Sequence, residues 1–196
     1  MKWNQLPLAM ICALFAISLC RTKFVASEEK EEKENKALLD ALPKSKHTLV
    51  DGIHQASSKS KPPEVAISAK FELEDGKLSL SVYAAEKGLS VPAEENVLKE
   101  LAGSPEGSKW EPETEIFKDV PHVSRSSEQL TLMALSHVSL LDIIKKAEKD
   151  QTGTVFSITP VLQQRKARFV VLVAAKDKVV ELVYDLMSGE RVKHEG

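Results

Sequence analysis

Twice along the chain an apolar pattern at helical spacing leads into strands where apolar and polar residues alternate. Thr48 can cap a helix on which Leu49, Ile53 and Ala56 recur, and KSKPP at 59–63 ends it. Val65, Ile67, Ala69, Phe71 and Leu73 then lie two apart, the period of a half-buried strand. Asp75-Gly76 follows, and Asp-Gly between alternating runs signals a hairpin. Leu78, Leu80, Val82 and Ala84 line the returning strand, with Ser79 and Ser81 facing outward. The order recurs from Ser139. Leu140, Leu141, Ile144 and Ala147 form the inner side of a capped helix that ends near Gly153. Val155, Phe156, Ile158 and Val161 make a strand interrupted by Pro160, which should sit at an edge or bulge. Arg165-Lys166 is the turn. FVVLVAA at 169–175 is nearly continuous in apolar residues and should lie centrally, covered on both faces. Asp177-Lys178 leads into the last strand, Val179 to Tyr184.

Between these blocks the pattern changes. Pro92-Ala93-Glu94-Glu95 predicts a short helix with Val97, Leu98 and Leu101 inside, ended by Gly103. Trp110, Ile116 and Phe117 lie in WEPETEIFKD, a strand or an extended loop. Leu130, Leu132 and Ala134 predict a strand over 129–135. Sliding Thr48 onto Ser139 without gaps sets Leu49 on Leu140, Asp51 on Asp142, Ile53 on Ile144 and Ala56 on Ala147. The same slide sets Ile67 on Ile158, Val82 on Val173 and Ala84 on Ala175. These matches point to a duplicated unit whose first copy takes 129–135 as its third strand. One helix and three strands bury little surface alone, so two copies packed together also make physical sense.

Composition fits a folded domain: 42% hydrophobic, 29% charged, net charge -2 over 196 residues. That balance gives neither the clustered basic face expected of a nucleic-acid binder nor a polybasic membrane-docking segment. The N-terminus reads as a targeting segment. Met1-Lys2 starts positive, and LPLAMICALFAISLC at 6–20 is an uncharged, mostly apolar run, shorter than the about 20 residues a membrane span needs but suited to a signal peptide. Cleavage is expected after Ser27, with Ala26 as the alternative. Arg21 and Lys23 leave an uncleaved N-terminal anchor as a second reading, the one route by which the chain would meet a membrane. Cys12 and Cys20 both lie in the leader, so a chain cleaved there has no disulfide, cysteine nucleophile or cysteine-ligated zinc. Cys20 after Ile17-Ser18-Leu19 is faintly similar to a lipidation site, though Leu19 is large for that position. EEKEEKENK at 28–36 is a mixed-charge spacer.

The last quarter closes with Tyr184-Asp185-Leu186-Met187-Ser188-Gly189-Glu190-Arg191-Val192. That ending resembles the Asp-x-x-Thr-Gly-x-hydrophobic close of the PepSY domain family, with Ser188 in place of threonine. Gly153-Thr154-Val155-Phe156-Ser157-Ile158 is similar to the family's lead-in to its first strand. The order helix, hairpin, strand also agrees. Lys166-Ala167-Arg168-Phe169 departs from the Gly and Tyr or Trp common at the family's hairpin. The resemblance covers about a quarter of the chain well and about another fifth poorly, on a short motif of moderate specificity. It implies a small, exported, non-catalytic unit of the kind met, also duplicated, in exported bacterial proteins and proposed to restrain peptidases. Tyr184, Asp185, Ser188 and Gly189 are then structural: Asp185 accepts backbone N–H bonds across the turn, and Gly189 takes a positive φ.

No catalytic, cofactor-binding or metal-binding residue is assigned. His47, His54, His122, His137 and His194 show no helical ligand spacing. Ser124, Ser126 and Ser127 around Arg125 could bind an anion or supply a nucleophile, but no Gly-x-Ser-x-Gly turn accompanies them. Glu94-Glu95 are paired carboxylates, and Glu111, Glu113 and Glu115 alternate as calcium ligands would; a solvated strand edge explains the latter as well. Trp110 with Phe117 is either core or a recognition patch. The fold expected is α+β: two helix–hairpin–strand units with antiparallel sheets and helices on one face. Its organisation is a signal peptide over 1–27, a charged spacer over 28–46, a degenerate PepSY-like unit with a helical insertion over 47–136, and a PepSY-like unit over 137–196. The expected function is a secreted or periplasmic, non-enzymatic protein that binds a protein or peptide, with the strand 65–73 as candidate edge. The alternative is an extracytoplasmic carrier of a small ligand or metal.

Overall fold

The computed structural model describes residues 33–58 and 64–192. The leader with Cys12 and Cys20, most of the charge run, the breaker at 59–63 and His194 lie outside the described residues. Residues 38–196 form one compact unit. It is α+β, with one seven-stranded, wholly antiparallel sheet. In chain order the elements are α1 (Leu49–Ser58), β1 (Val65–Glu74), β2 (Lys77–Ala85), β3 (Leu98–Gly103) and β4 (Glu113–Ile116). Then follow α2 (Val120–Leu135), α3 (Leu140–Asp150), β5 (Thr154–Gln163), β6 (Lys166–Ala175) and β7 (Lys178–Asp185). The strands stand in the order β4-β3-β2-β1-β5-β6-β7.

Both hairpin helices start as their sequences predict. Ser139 Oγ accepts the Asp142 N–H at 3.1 Å, and Asp142 reaches back to the Ser139 N–H, a reciprocal capping box. Thr48 and Asp51 make the same exchange at α1, with bonds of 3.2 and 2.7 Å. The two strand hairpins also share a defect. Ile67 is an extra residue between Ala66 and Ser68 in the β1/β2 ladder, and Phe156 between Val155 and Ser157 in the β5/β6 ladder. Such bulges leave one residue unpaired and increase the local twist.

Helices α1 and α3 lie on one face of the sheet. Gly52 of α1 comes close to Leu80 and Val82. Val82 stands opposite Ala69, Ala69 opposite Ile158, and Ile158 opposite Val171, and directly opposed residues share a face. The core between helices and sheet joins Leu49, Ile53 and Ala56 to Leu140, Ile143, Ile144 and Ala147 in one buried cluster. Helix α2 packs across the other face, on β1, β5 and β3; its Gln129 meets Ser68, the cross-strand neighbour of Tyr83.

Five expectations are corrected. Residues 129–135 belong to α2, not to a strand. The buried side of α2 is Ser126, Gln129, Leu130 and Met133, at helical spacing, and its two polar members hide the period. The third strand of the first half is β3, in place of the helix expected before Gly103. Asn96 stops a helix there by donating to the Gly88 and Val91 carbonyls and accepting the Lys87 and Val97 N–H groups, after a single 3-10 turn at Ala93–Glu95. The strand's pattern is disguised because Lys99 is buried, 2.7 Å from Glu64 and 3.0 Å from Glu86. β1 is central, bonded to β2 and β5, so 65–73 is no edge; the edges are β4 and β7. β6 is buried on one face only: Phe169, Val171 and Val173 are covered, while Val170, Leu172 and Ala174 are half-buried. Pro160 sits on the interior strand β5, past the end of its ladder with β1, rather than at an edge or within the bulge.

Candidate functional site

The β1/β5 pairing is the weak line of the sheet. Both strands are ten residues long, yet the ladder holds only Ala69 with Ile158 and Lys70 with Ser157. The bulges at Ile67 and Phe156 lie beside the two ends of this ladder. Pro160 has no N–H with which to continue. Where the strands part, α2 roofs a pocket of 330 Å³ lined by Ser68, Lys70, Tyr83, Arg125, Gln129 and Thr159, with Glu128, Pro160 and Val161 beside them.

The pocket is polar at its floor. Ser68 Oγ donates to Gln129 Oε1 at 2.9 Å, and both residues are buried, 3% and 5% exposed. On one wall Lys70 is paired with Glu72, which also accepts the Ser81 hydroxyl at 2.9 Å, and its ammonium lies 5.5 Å from the centre of the Tyr83 ring. Burial pulls the Lys70 ammonium down, but the bond and charge of Glu72 outweigh it and the net shift is upward. Burial raises the Tyr83 phenol. Glu128 is anchored to the opposite strand, where its Oε1 accepts the Leu162 N–H at 3.3 Å. Arg125 is exposed at the rim and makes no ion pair among the described residues. None of this was legible as a site, because its residues come from four elements. The one signal was Arg125 within its serine cluster. That cluster is helical: Ser127 Oγ donates to the Val123 carbonyl, and Ser126 is fully buried with its hydroxyl unpartnered.

The closing motif forms a tied turn at the end of β7. Asp185 Oδ1 accepts the Met187 N–H at 3.1 Å and the Ser188 N–H and hydroxyl, each at 2.9 Å. The Ser188 N–H is the main reason the Asp185 carboxyl is held below its usual value, against burial. Gly189 has φ +65° and donates to the Asp185 carbonyl at 2.9 Å, and a Cβ there would stand 3.1 to 3.2 Å from Lys146, Ile143 and Val138. Tyr184 is fully buried and its hydroxyl donates to Asp150 at 2.9 Å across to α3; burial, then Asp150, raises its phenol. The turn folds Arg191 back beside Tyr184, and the Val192 N–H donates to the Val183 carbonyl, occupying part of the outer edge of β7.

The remaining candidates are dispersed. His47 bonds to the Gly107 carbonyl at 3.1 Å, His122 lies 2.8 Å from Asp119 and stacks on Phe117, and His54 and His137 are exposed. Glu113 and Glu115 are exposed on the edge strand β4 and share a groove with Glu74, Glu100 and Glu111. Among the described residues no group of three or more acidic, histidine or cysteine side chains is arranged to hold a metal ion. Trp110 and Phe117 are buried and do not form an exposed patch; Trp110 Nε1 donates to the Gly103 carbonyl at 3.2 Å.

No family model matches the chain, and no curated protein matches it. Among solved structures, that of a "putative lipoprotein" from Clostridium difficile 630 aligns with 76% of this chain and 92% of its own, at 13% identity and a TM-score of 0.39.

Proposed function

We propose that the protein is an exported, non-catalytic binding module of two PepSY-like units, that its partner is a protein or peptide chain, and that restraint of a peptidase is the use such binding serves. The observation that carries the reading is the apolar stripe left open on the sheet face opposite α1 and α3. Val170, Leu172, Ala174 and Val179 are half-buried there, with exposed Glu181 opposite Leu172, beyond the strands that α2 covers. Contiguous apolar surface on a folded protein marks a place where something else packs. Export rests on the apolar leader at 6–20. Duplication is supported by the matching caps at Thr48/Asp51 and Ser139/Asp142, by the two bulges, and by strand order that reads the same outward from the β1/β5 line through three strands each way.

The test is affinity capture from the exported fraction with wild-type protein and with Leu172→Asp. A single partner retained by the wild type and depleted with the variant is the expected result. A partner set identical for the two, or none at all, would sink the reading. The β1/β5 pocket favours a second reading, a carrier of a small ligand. Recovery of a small organic molecule from the purified protein, with no protein partner, would replace the first reading by the second.

A further inference from the structure

We propose that the pocket between β1, β5 and α2 is a binding site for a single carboxylate group, with Arg125 and Gln129 as its donors. The inference goes beyond the open sheet face, and rests on the peptide-binding reading only in taking a chain terminus as one source of the carboxylate.

The argument is one of unmatched donors. Lys70 already has its counter-ion in Glu72. Glu128 is tied to the backbone of β5. Gln129 has its oxygen occupied by the Ser68 hydroxyl, so its Nε2 has two hydrogens to give, and no described residue accepts from it. Arg125 has no carboxylate partner among the described residues. The Arg125 guanidinium and the Gln129 amide N–H₂ both line this cavity without a partner among the described residues, and together they match the two oxygens of a carboxylate. The rest of the lining suits the body of such a ligand, since Ala69, Pro160, Val161 and the ring of Tyr83 offer apolar surface. A volume of 330 Å³ sits at the small end of ligand pockets, which run from about 300 to 1,000 Å³. Glu128 lines the same cavity, which disfavours a polyanion such as a phosphate ester and favours one negative charge.

The carboxylate could belong to a small free acid or to the C-terminus of a peptide, and the experiment separates the two. N-acetyl-alanyl-alanine, its C-terminal amide, and acetate are each titrated into the purified protein while the Gln129 side-chain amide and Arg125 Nε–H signals are followed by nuclear magnetic resonance. The acid form should shift both signals, and Arg125→Gln should weaken its binding by about tenfold, the loss of one charge-assisted contact. Arg125→Lys should recover part of it. Acetate binding as well as the dipeptide would assign a small free acid; tighter binding of the dipeptide would assign a chain terminus. Equal binding of acid and amide would overturn the proposal, as would unmoved Gln129 and Arg125 signals. Loss of the macromolecular partner is read by capture with Leu172→Asp and loss of the carboxylate site by this titration of the wild-type chain and Arg125→Gln, so the two failures register separately.

Discussion

Four aspartates do the same work at four turns of the chain. Asp51 accepts the Thr48 N–H, Asp119 the His122 N–H, Asp142 the Ser139 hydroxyl and N–H, and Asp185 the Ser188 N–H, and each carboxyl is held below its usual value chiefly by that bond. Groups whose folded values are depressed stabilise fully above their unfolded value near 3.9, and that stability is lost as pH falls through the folded values. The denaturation midpoint should therefore be level between about pH 5 and 7 and drop below about pH 4; a midpoint unchanged down to strongly acid solution contradicts the assignment. Ser139→Ala should cost about 1 kcal/mol at neutral pH and make the acid fall shallower. Gly153 is a sharper case. Its φ is +150°, and a Cβ would stand 2.3 Å from the Ala174 carbonyl oxygen, a backbone atom that cannot swing aside. Gly153→Ala should lower stability by about 1–3 kcal/mol, more than Gly76→Ala, whose site is open; equal melting temperatures for the two variants would refute this. These residues are the ones most legible in the sequence, because caps and turns are made by neighbours. Lys99 and Gln129 are the opposite case. Their partners Glu64, Glu86 and Ser68 are remote in sequence, so a buried charge and a buried amide read as surface.

At the scale of elements the period of apolar residues decided what could be read. β1 and β2 show it cleanly because the positions facing α1 are apolar while the opposite face carries Ser68, Lys70, Ser79 and Ser81; the outward exposure expected of Ser79 and Ser81 is nevertheless wrong, for both are buried. α2 conceals it behind Ser126 and Gln129, and β3 behind Lys99. β6 misleads in another way. Its outward residues are as apolar as its inward ones, so a one-sided strand reads as a two-sided one. The difference is measurable. Leu182 is 1% exposed on the helix-covered face, whereas Leu172 is half-buried on the open one. Leu182→Asp should leave an unfolded or aggregated chain, because a charge would be buried without a partner. Leu172→Asp should shift the melting temperature little, since its carboxylate reaches water, while losing the partner. A collapse of stability in both variants would mean that the outer face of β6 is core after all.

For the whole molecule the question is why two halves so thinly hydrogen-bonded to each other are one body. Two residue pairs join β1 to β5, about the least that can make seven strands one sheet. Side chains supply the rest. α1 packs on β5 as well as on β1 and β2, and α3 packs on β1 as well as on β5 and β6, so each helix bridges the line where the strands part. α2 adds a second strap from the opposite face, on β1 and β5. Neither half closes its own core, and a helix with three strands is below the size at which burial readily offsets chain entropy. Unfolding should then be a single cooperative transition, with fluorescence of Trp110 in the first half and circular dichroism of both halves falling together. A chain limited to 137–196 should lack fixed tertiary structure on its own. Amide hydrogens at Ala69 and Ile158 should exchange by local opening, faster than those of the β1/β2 and β5/β6 ladders on either side, because two pairs can part without unfolding the hairpins. If the isolated second half folds, or the two probes melt apart, the straps are decoration and the halves are independent domains. If the central amides are instead the slowest to exchange, the line between β1 and β5 is the most stable part of the sheet, and the pocket beside it has no weak seam to open from.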